Sequence, residues 1–339
     1  MLTPSTACST SIAATCSVYD PSLLPGNDRF KAHQRLPENR DPNDPESYLP
    51  YRGKTYCMDV MAEDALQFIH DNQAEPFFLY LPFPVPHVAL QVPDESLKAY
   101  KDAFPETPYT GNKGYLPHRT PRAAYAAMIT RMDREIGRIL DLLKALKLDE
   151  NTLVIFSSDN GPTYAGGADS VFFESAGPLR GLKGSVYEGG IRVPMVARWP
   201  GKIKPGTRSD HISGFQDYLP TFTEIAGIKA PGEIDGLSLL PALTGKVNEQ
   251  KVHDYLYWEH IGRLQAVRMG KWKAVRHAPD KPVELYNLEE DIGESEDLAA
   301  FHPDIVEKVE AIMRDGRIPS KYFPLKGIDP PKPKVKEGV

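Results

Sequence analysis

The sequence predicts an α/β fold: a mixed sheet flanked by helices, followed by a small α+β subdomain. Short apolar runs at 77–81, 152–157 and 193–199 have the length and flanks of buried strands. A long apolar pattern from Tyr125 to Leu143 repeats every three to four residues, the period of a helix face. Beyond Val252 the runs become short and β-like and close on a helical pattern at 303–314.

Residues 1–47 are rich in Pro, Ser, Asn and charge, have no clear period, and read as irregular chain. From Tyr56 to about Asp71, Val60, Met61, Leu66, Phe68 and Ile69 give mixed helical spacing. Pro76 then precedes Phe77-Phe78-Leu79-Tyr80-Leu81, and Pro82 stops the run. Residues 82–120 carry many Pro and Gly and read as loops. Thr120 suits a helix N-cap and Pro121 the first helical position. The stripe Tyr125, Met128, Ile129, Met132, Ile136, Ile139, Leu140, Leu143 follows and is expected to face the core. A polar turn, Leu148 to Asn151, leads into the strand 152–157. A helix, turn and buried strand in this order call for a parallel or mixed sheet. Val193 to Trp199 is a third strand, ended by Pro200-Gly201, and 215–227 is a short helix ending at Gly227. Runs at 254–258, 264–268, 271–276 and 283–288 predict an antiparallel sheet with one helix. The tail from Lys321 is rich in Pro and Lys and is expected to be mobile.

Composition narrows the function classes. The chain has 339 residues, 41% apolar and 25% charged, within the range of globular domains. A net charge of −6 gives no basic face for nucleic acid. No apolar run reaches the roughly 18 residues of a membrane span. Met1 to Asp20 lacks a basic start and a continuous apolar stretch, so no export signal is expected in these residues. The three cysteines, Cys8, Cys16 and Cys57, have no paired spacing and read as ordinary thiols.

Three polar clusters follow the three strand candidates, and open α/β sheets bind ligands beyond strand carboxyl ends. In Pro84-Val85-Pro86-His87 the prolines restrict the backbone that presents an imidazole. A protonated His87 can donate to an anionic oxygen or a leaving group; a loop histidine is also commonly a surface residue. In Ser157-Ser158-Asp159-Asn160-Gly161-Pro162, Asp159 and Asn160 are adjacent hard oxygen donors that suit Ca²⁺ or Mg²⁺. The same residues also make an ordinary Asx-rich turn. The third cluster, Gly181 to Pro194, has four Gly between 181 and 190, and Lys183 stands among them as a point charge suited to sulfate or phosphate. The nucleotide-binding pattern GxxxxGK[ST] is absent from the chain.

Phe77 to His87, Ser158-Asp159-Asn160-Gly161 and Gly181-x-Lys183-Gly184-x-x-x-Glu188-Gly189-Gly190-x-Arg192-Val193-Pro194 together resemble the arylsulfatase-type sulfatases. Ile212 to Gly227 with Asp217-x-x-Pro220-Thr221, Ile234-Asp235-Gly236 and Glu284-Leu285-Tyr286-Asn287-Leu288 extend the likeness across 48–315. The resemblance implies an alkaline-phosphatase-like fold and hydrolysis of sulfuric esters, of small molecules or sulfated glycans. It places Asp159 and Asn160 on two metal ligands, usually for Ca²⁺, and His87 and Lys183 on two residues that contact the sulfate group. Family members often work outside the cell or in lysosomes; the compartment of this chain stays open.

The family's nucleophile is a formylglycine made from Cys or Ser in a C-x-P-S-R or C-x-A-x-R motif. No Cys or Ser of this chain stands in one, and the early Asp-Asp metal pair is also absent. Lys31-Ala32-His33 has the form of the family's Lys-x-His without its neighbours and reads as chance. The expected organisation is therefore an irregular segment at 1–47, a partial sulfatase catalytic domain at 48–250, an antiparallel-sheet subdomain at 251–318 and a tail at 319–339. A non-catalytic binder of sulfated ligands, and a phosphoesterase of the same superfamily, are the alternatives. The Gly-x-Lys-Gly…Glu-Gly-Gly run favours sulfatase over phosphoesterase.

Overall fold

The computed structural model describes residues 35–331. Cys8, Cys16 and Lys31-Ala32-His33 lie outside the described residues. The chain divides into two compact units, one of 1–148 with 164–169, the other of 149–163 with 170–339.

The first unit is built on helices α1 (Cys57–Asp71) and α2 (Pro121–Ala145). Met58, Val88, Leu90, Ala124, Ala127 and Met128 belong to its core. Tyr56 is the N-cap residue of α1, at the predicted start. Pro121 opens α2 as predicted, but Thr120 makes no side-chain cap bond. Glu106 supplies the cap instead: its carboxylate accepts from the amides of Arg122 (3.1 Å) and Ala123 (2.8 Å). A carboxylate at this end also meets the positive pole of the helix dipole.

The core face of α2 is rotated from the predicted stripe. Ala123, Ala124, Ala127, Met128, Arg131 and Glu135 are buried, whereas Ile129 is 39% exposed. The alanines carry little side-chain bulk on the core face, and the two buried charges are neutralised in place. Arg131 grips Asp59 with Nε and Nη2 (2.7 and 2.6 Å) and reaches Glu95 and Ser96. Glu135 is held by Arg134 and Arg138. An apolar count cannot see a face made of small residues and paired charges.

Residues 77–81 join no sheet among the described residues, against expectation, and Phe78 and Tyr80 are exposed. Apolar character gives a run strand propensity, but a ladder also requires a neighbouring strand in register.

The second unit starts with β1 (Val154–Ser157), which pairs antiparallel with β2 (Met195–Arg198). Both lie within the predicted runs. Among the described residues this is a two-stranded antiparallel pair and not the predicted three-stranded mixed sheet. Arg198 ties its outer end to Asp149, Nη2 to Oδ2 at 2.8 Å. Between the strands, residues 188–191 form the single turn α3 (Glu188–Ile191). Helix α4 (Tyr218–Ile225) follows, with Gly227 beyond its end at φ +68°, the left-handed conformation that closes many helices. The fully buried Asp217 carboxylate accepts from Gly214 N, Leu237 N and His253 Nε2, at 2.7–2.8 Å.

The predicted antiparallel sheet is present as β3 (Leu256–His260), β4 (Leu264–Met269), β5 (Trp272–Arg276) and β6 (Val283–Asn287), paired in chain order. One face packs Val267, Ala274, Val283 and Leu285 on Val309 and Met313 of helix α5 (Pro303–Asp315). The other packs Ala266, Val275 and Tyr286 on Val186 and Tyr187. The sheet is thus covered on both sides, and its lower face carries the glycine-rich segment.

The described part of the tail makes fixed contacts with the rest of the second unit. Leu325 is fully buried, and Lys326 N donates to Gly262 O in the β3–β4 turn (2.7 Å). Asp329 takes Arg317 Nη1 and Nη2 at 2.9 and 2.5 Å and the Leu325 amide at 2.8 Å. The composition signalled disorder, but one apolar anchor and one bidentate ion pair hold the segment. The Arg317 guanidinium, then the Leu325 amide, bring the Asp329 carboxyl from 3.8 down to about 2. A depressed carboxyl stabilises the charged, docked form, so its contribution is complete above 3.8 and is lost as pH falls through about 2. Protection of the Leu325 amide, relative to an unstructured amide at the same pH, should therefore fall over that acid window, and in Asp329→Asn should be low already at neutral pH. Equal protection in both proteins at neutral pH would contradict the anchor.

Candidate functional site

The site residues of the second unit stand on two segments, the exit of β1 and the run 180–190. At the exit, Ser157 Oγ donates to Pro194 O (3.0 Å) and Ser158 Oγ to Asn160 O (2.9 Å), which folds Asp159-Asn160 into a tight turn. The chain then runs into contact with the second segment. Gly161 N donates to Gly190 O (3.0 Å), and Lys183 N donates to Pro162 O (2.9 Å).

The glycines are required by this crossing. A Cβ on Gly161 would lie 1.9 Å from Gly189 O. On Gly189 it would lie 2.2 Å from Gly181 O, and on Gly190 2.2 Å from Ser185 O. Backbone meets backbone at all three, so no side chain can move aside. Gly181, at φ +83°, turns the chain into the loop.

This contact sets the Lys183 backbone against Pro162, two residues beyond Asn160, so the segments that carry Asp159, Asn160 and Lys183 are neighbours. Asp159 is exposed and Asn160 and Lys183 are half-buried. Among the described residues the Lys183 ammonium enters no ion pair, so its charge is available to an anion.

His87 belongs to the first unit. It is exposed, its ring meets the Tyr115 ring edge-on at 5.9 Å, and its Nδ1 bonds the Val88 carbonyl. A carbonyl only accepts, so Nδ1 carries the hydrogen and Nε2 is left for acid–base work.

Asp159 and Asn160 do not by themselves fit the Ca²⁺ implied by the sequence. Their side chains offer two of the 6–8 oxygens Ca²⁺ takes, and the described residues hold no group of three His, Cys, Asp or Glu able to bind a metal.

Sequence reasoning missed a buried ion cluster behind the loop. Lys273 Nζ, fully buried, lies 2.8 Å from Glu188 Oε1 and 3.1 Å from Glu294 Oε1. Arg268 Nη1 and Arg192 Nη1 lie 3.7 and 3.6 Å from Glu188 Oε2. Burial pushes the Glu294 carboxyl up, against the pull of Lys273. A signal did exist: period-two alternation puts Lys273 on the same face of β5 as the core residue Val275. Beside it, Tyr187 and Tyr286 hydroxyls donate to Glu284 (2.5 and 2.8 Å), and Arg180 lies over the Tyr187 ring at 4.0 Å.

A sulfatase family model matches residues 13–228, and one for the C-terminal part of N-sulphoglucosamine sulphohydrolase matches 182–315. The chain is 29% identical to an uncharacterised sulfatase of Schizosaccharomyces pombe, over 80% of this chain and 62% of that one. It is 32% identical to a sulfatase of Formosa agariphila, over 73% and 47%. The crystal structure of Ps i-CgsB in complex with k-i-k-neocarrahexaose superposes with a TM-score of 0.65 at 30% identity, over 78% of this chain and 55% of that one. The α/β, alkaline-phosphatase-like fold read from the sequence is therefore the fold of this chain. The chain spans about half the length of the curated relatives it matches.

The glycine crossing makes a paired prediction. Gly161→Ala should cost about 3 kcal/mol, the upper range for overpacking, because backbone blocks its methyl. Gly137→Ala, in α2 with nothing within 4 Å, should be neutral or stabilise by up to about 1 kcal/mol. Urea unfolding of the two variants checks the contrast; equal effects would contradict it.

Proposed function

The chain belongs to the sulfatase family, and from that premise we propose that it carries part of a sulfuric ester hydrolase site. The observation that supports this most is the Lys183–Pro162 backbone bond, which holds the segment carrying Lys183 against the one that follows Asp159-Asn160. A sulfate ester presents oxygens whose charge grows as the S–O bond breaks. An ammonium fixed on a rigid loop stabilises that charge without reorganising. Lys183 is assigned to the sulfate oxygens. His87, through Nε2, is assigned to the sulfate or to the departing alcohol, which needs a proton. Asp159 and Asn160 are proposed as two oxygen ligands of a Ca²⁺ site that they do not complete. The substrate class is a sulfate ester of a small molecule or glycan, in keeping with relatives named N-acetylgalactosamine-6-sulfatase and steryl-sulfatase.

One observation favours a second reading for these 339 residues on their own. Because no Cys or Ser stands in a formylglycine motif, His87 and Lys183 have no covalent nucleophile to assist. The polypeptide then binds sulfated ligands without turning them over. Loss of a nucleophile from a covalent mechanism costs on the order of 10⁶-fold in rate.

The test pairs binding with turnover. The purified 339-residue chain should bind inorganic sulfate, and Lys183→Ala should remove that binding. It should not hydrolyse a chromogenic aryl sulfate above background. Turnover lost in Lys183→Ala would show a nucleophile outside the known motif. Absence of sulfate binding in the unaltered chain would remove the proposed role of Lys183.

A further inference from the structure

We propose that Lys273 and Glu294 are positioning residues for Lys183: their buried ion cluster closes both ends of the 180–190 loop and so fixes where that lysine stands. The inference rests on the reading of Lys183 as the sulfate-contacting group.

Glu294 holds the two ends of the loop with different atoms. At the first end, its backbone carbonyl accepts from Arg180 Nη1 at 2.6 Å. At the second, its Oε2 accepts from the Glu188 amide at 2.7 Å. The ends also bond each other, Gly189 N to Arg180 O at 2.7 Å. Lys273 Nζ then ties Glu188 Oε1 to Glu294 Oε1. Lys183 lies inside the loop, and its own backbone bond to Pro162 is made from a segment whose two ends are both held.

The composition of the clamp argues that it sets position. A fully buried lysine between two carboxylates is an expensive way to gain stability, since apolar groups of similar volume usually serve as well or better. What the ion cluster adds is direction: Glu188 Oε1 and Glu294 Oε1 each accept from Lys273, Glu294 Oε2 accepts from the Glu188 amide, and a slipped loop would leave a buried charge unpaired. Glu188 Oε2 faces Arg268 and Arg192 as well, so no carboxylate oxygen of Glu188 lacks a cation nearby. Glu294 itself has φ +52°, a left-handed backbone that a non-glycine residue adopts only when its surroundings hold it there.

The test is native-state hydrogen exchange by NMR on the full chain, with a titration of inorganic sulfate. It compares the unaltered protein with Lys273→Met, Glu294→Gln and Lys183→Ala. Glu294→Gln keeps the size of the side chain and an acceptor for the Glu188 amide while removing the negative charge that faces Lys273, so it carries the test if Lys273→Met does not fold. In both clamp variants the amides of Gly161, Lys183 and Gly189 should exchange roughly tenfold faster or more, while amides of β3 and β4 keep their protection. Sulfate affinity should fall with them although Lys183 is still present. Lys183→Ala should lose sulfate binding with loop protection intact. Acceleration spread equally through β3 and β4, or no change at Gly161, Lys183 and Gly189, would overturn the positioning role. If the unaltered chain does not bind sulfate, the sulfate-contact reading fails, and the exchange comparison still decides whether the clamp fixes the loop.

Discussion

The second unit depends on one steric constraint, the crossing of two backbones at Gly161 and Gly189-Gly190. A methyl group at Gly161 would fall 1.9 Å from a carbonyl oxygen, so the crossing exists only because these positions have no side chain. From it follow the Gly161–Gly190 and Lys183–Pro162 bonds, which hold the segment carrying Lys183 against the one that follows Asp159-Asn160. Close approach of bare backbone also leaves little apolar surface to bury locally. The glycine-rich segment therefore takes its hold from outside itself, from Val186 and Tyr187 on the sheet and from charges beneath it.

Those charges explain why a four-stranded sheet stands behind a loop so poor in side chains. Its upper face is an ordinary apolar contact with α5. Its lower face mixes apolar residues with Lys273, and the turn after β6 brings Glu294 back beneath the loop. The sheet thus supplies both the covering surface and the electrostatic clamp, and the sequence distance between 188 and 294 is bridged by one direct hydrogen bond and by one ammonium that bonds both residues.

Elements set by local pattern were legible in the sequence. The starts of α1 and α2, the four strands β3–β6 and helix α5 follow from spacing, caps and turn residues. The two segments that carry Asp159, Asn160 and Lys183 were legible because the strand exit and the glycines are both written locally. What was not legible depends on partners distant in sequence. Residues 77–81 have strand composition but no sheet among the described residues. The core face of α2 turns on Arg131 and Glu135, whose burial requires Asp59, Arg134 and Arg138 to be in reach. Glu106 caps a helix from sixteen residues upstream of Arg122. Asp329 and Leu325 fix a tail whose composition alone reads as disordered. Lys273 was half legible: alternation placed it inward, and only the fold shows which carboxylates receive it.

The most direct measurement is a crystal structure of the chain grown or soaked in inorganic sulfate. The account predicts a sulfate with an oxygen about 3 Å from Lys183 Nζ, the range of a charge-assisted hydrogen bond, with the Lys183–Pro162 contact retained. Sulfate bound elsewhere in the second unit while the 180–190 loop stays empty, or a loop withdrawn from Pro162, would contradict it.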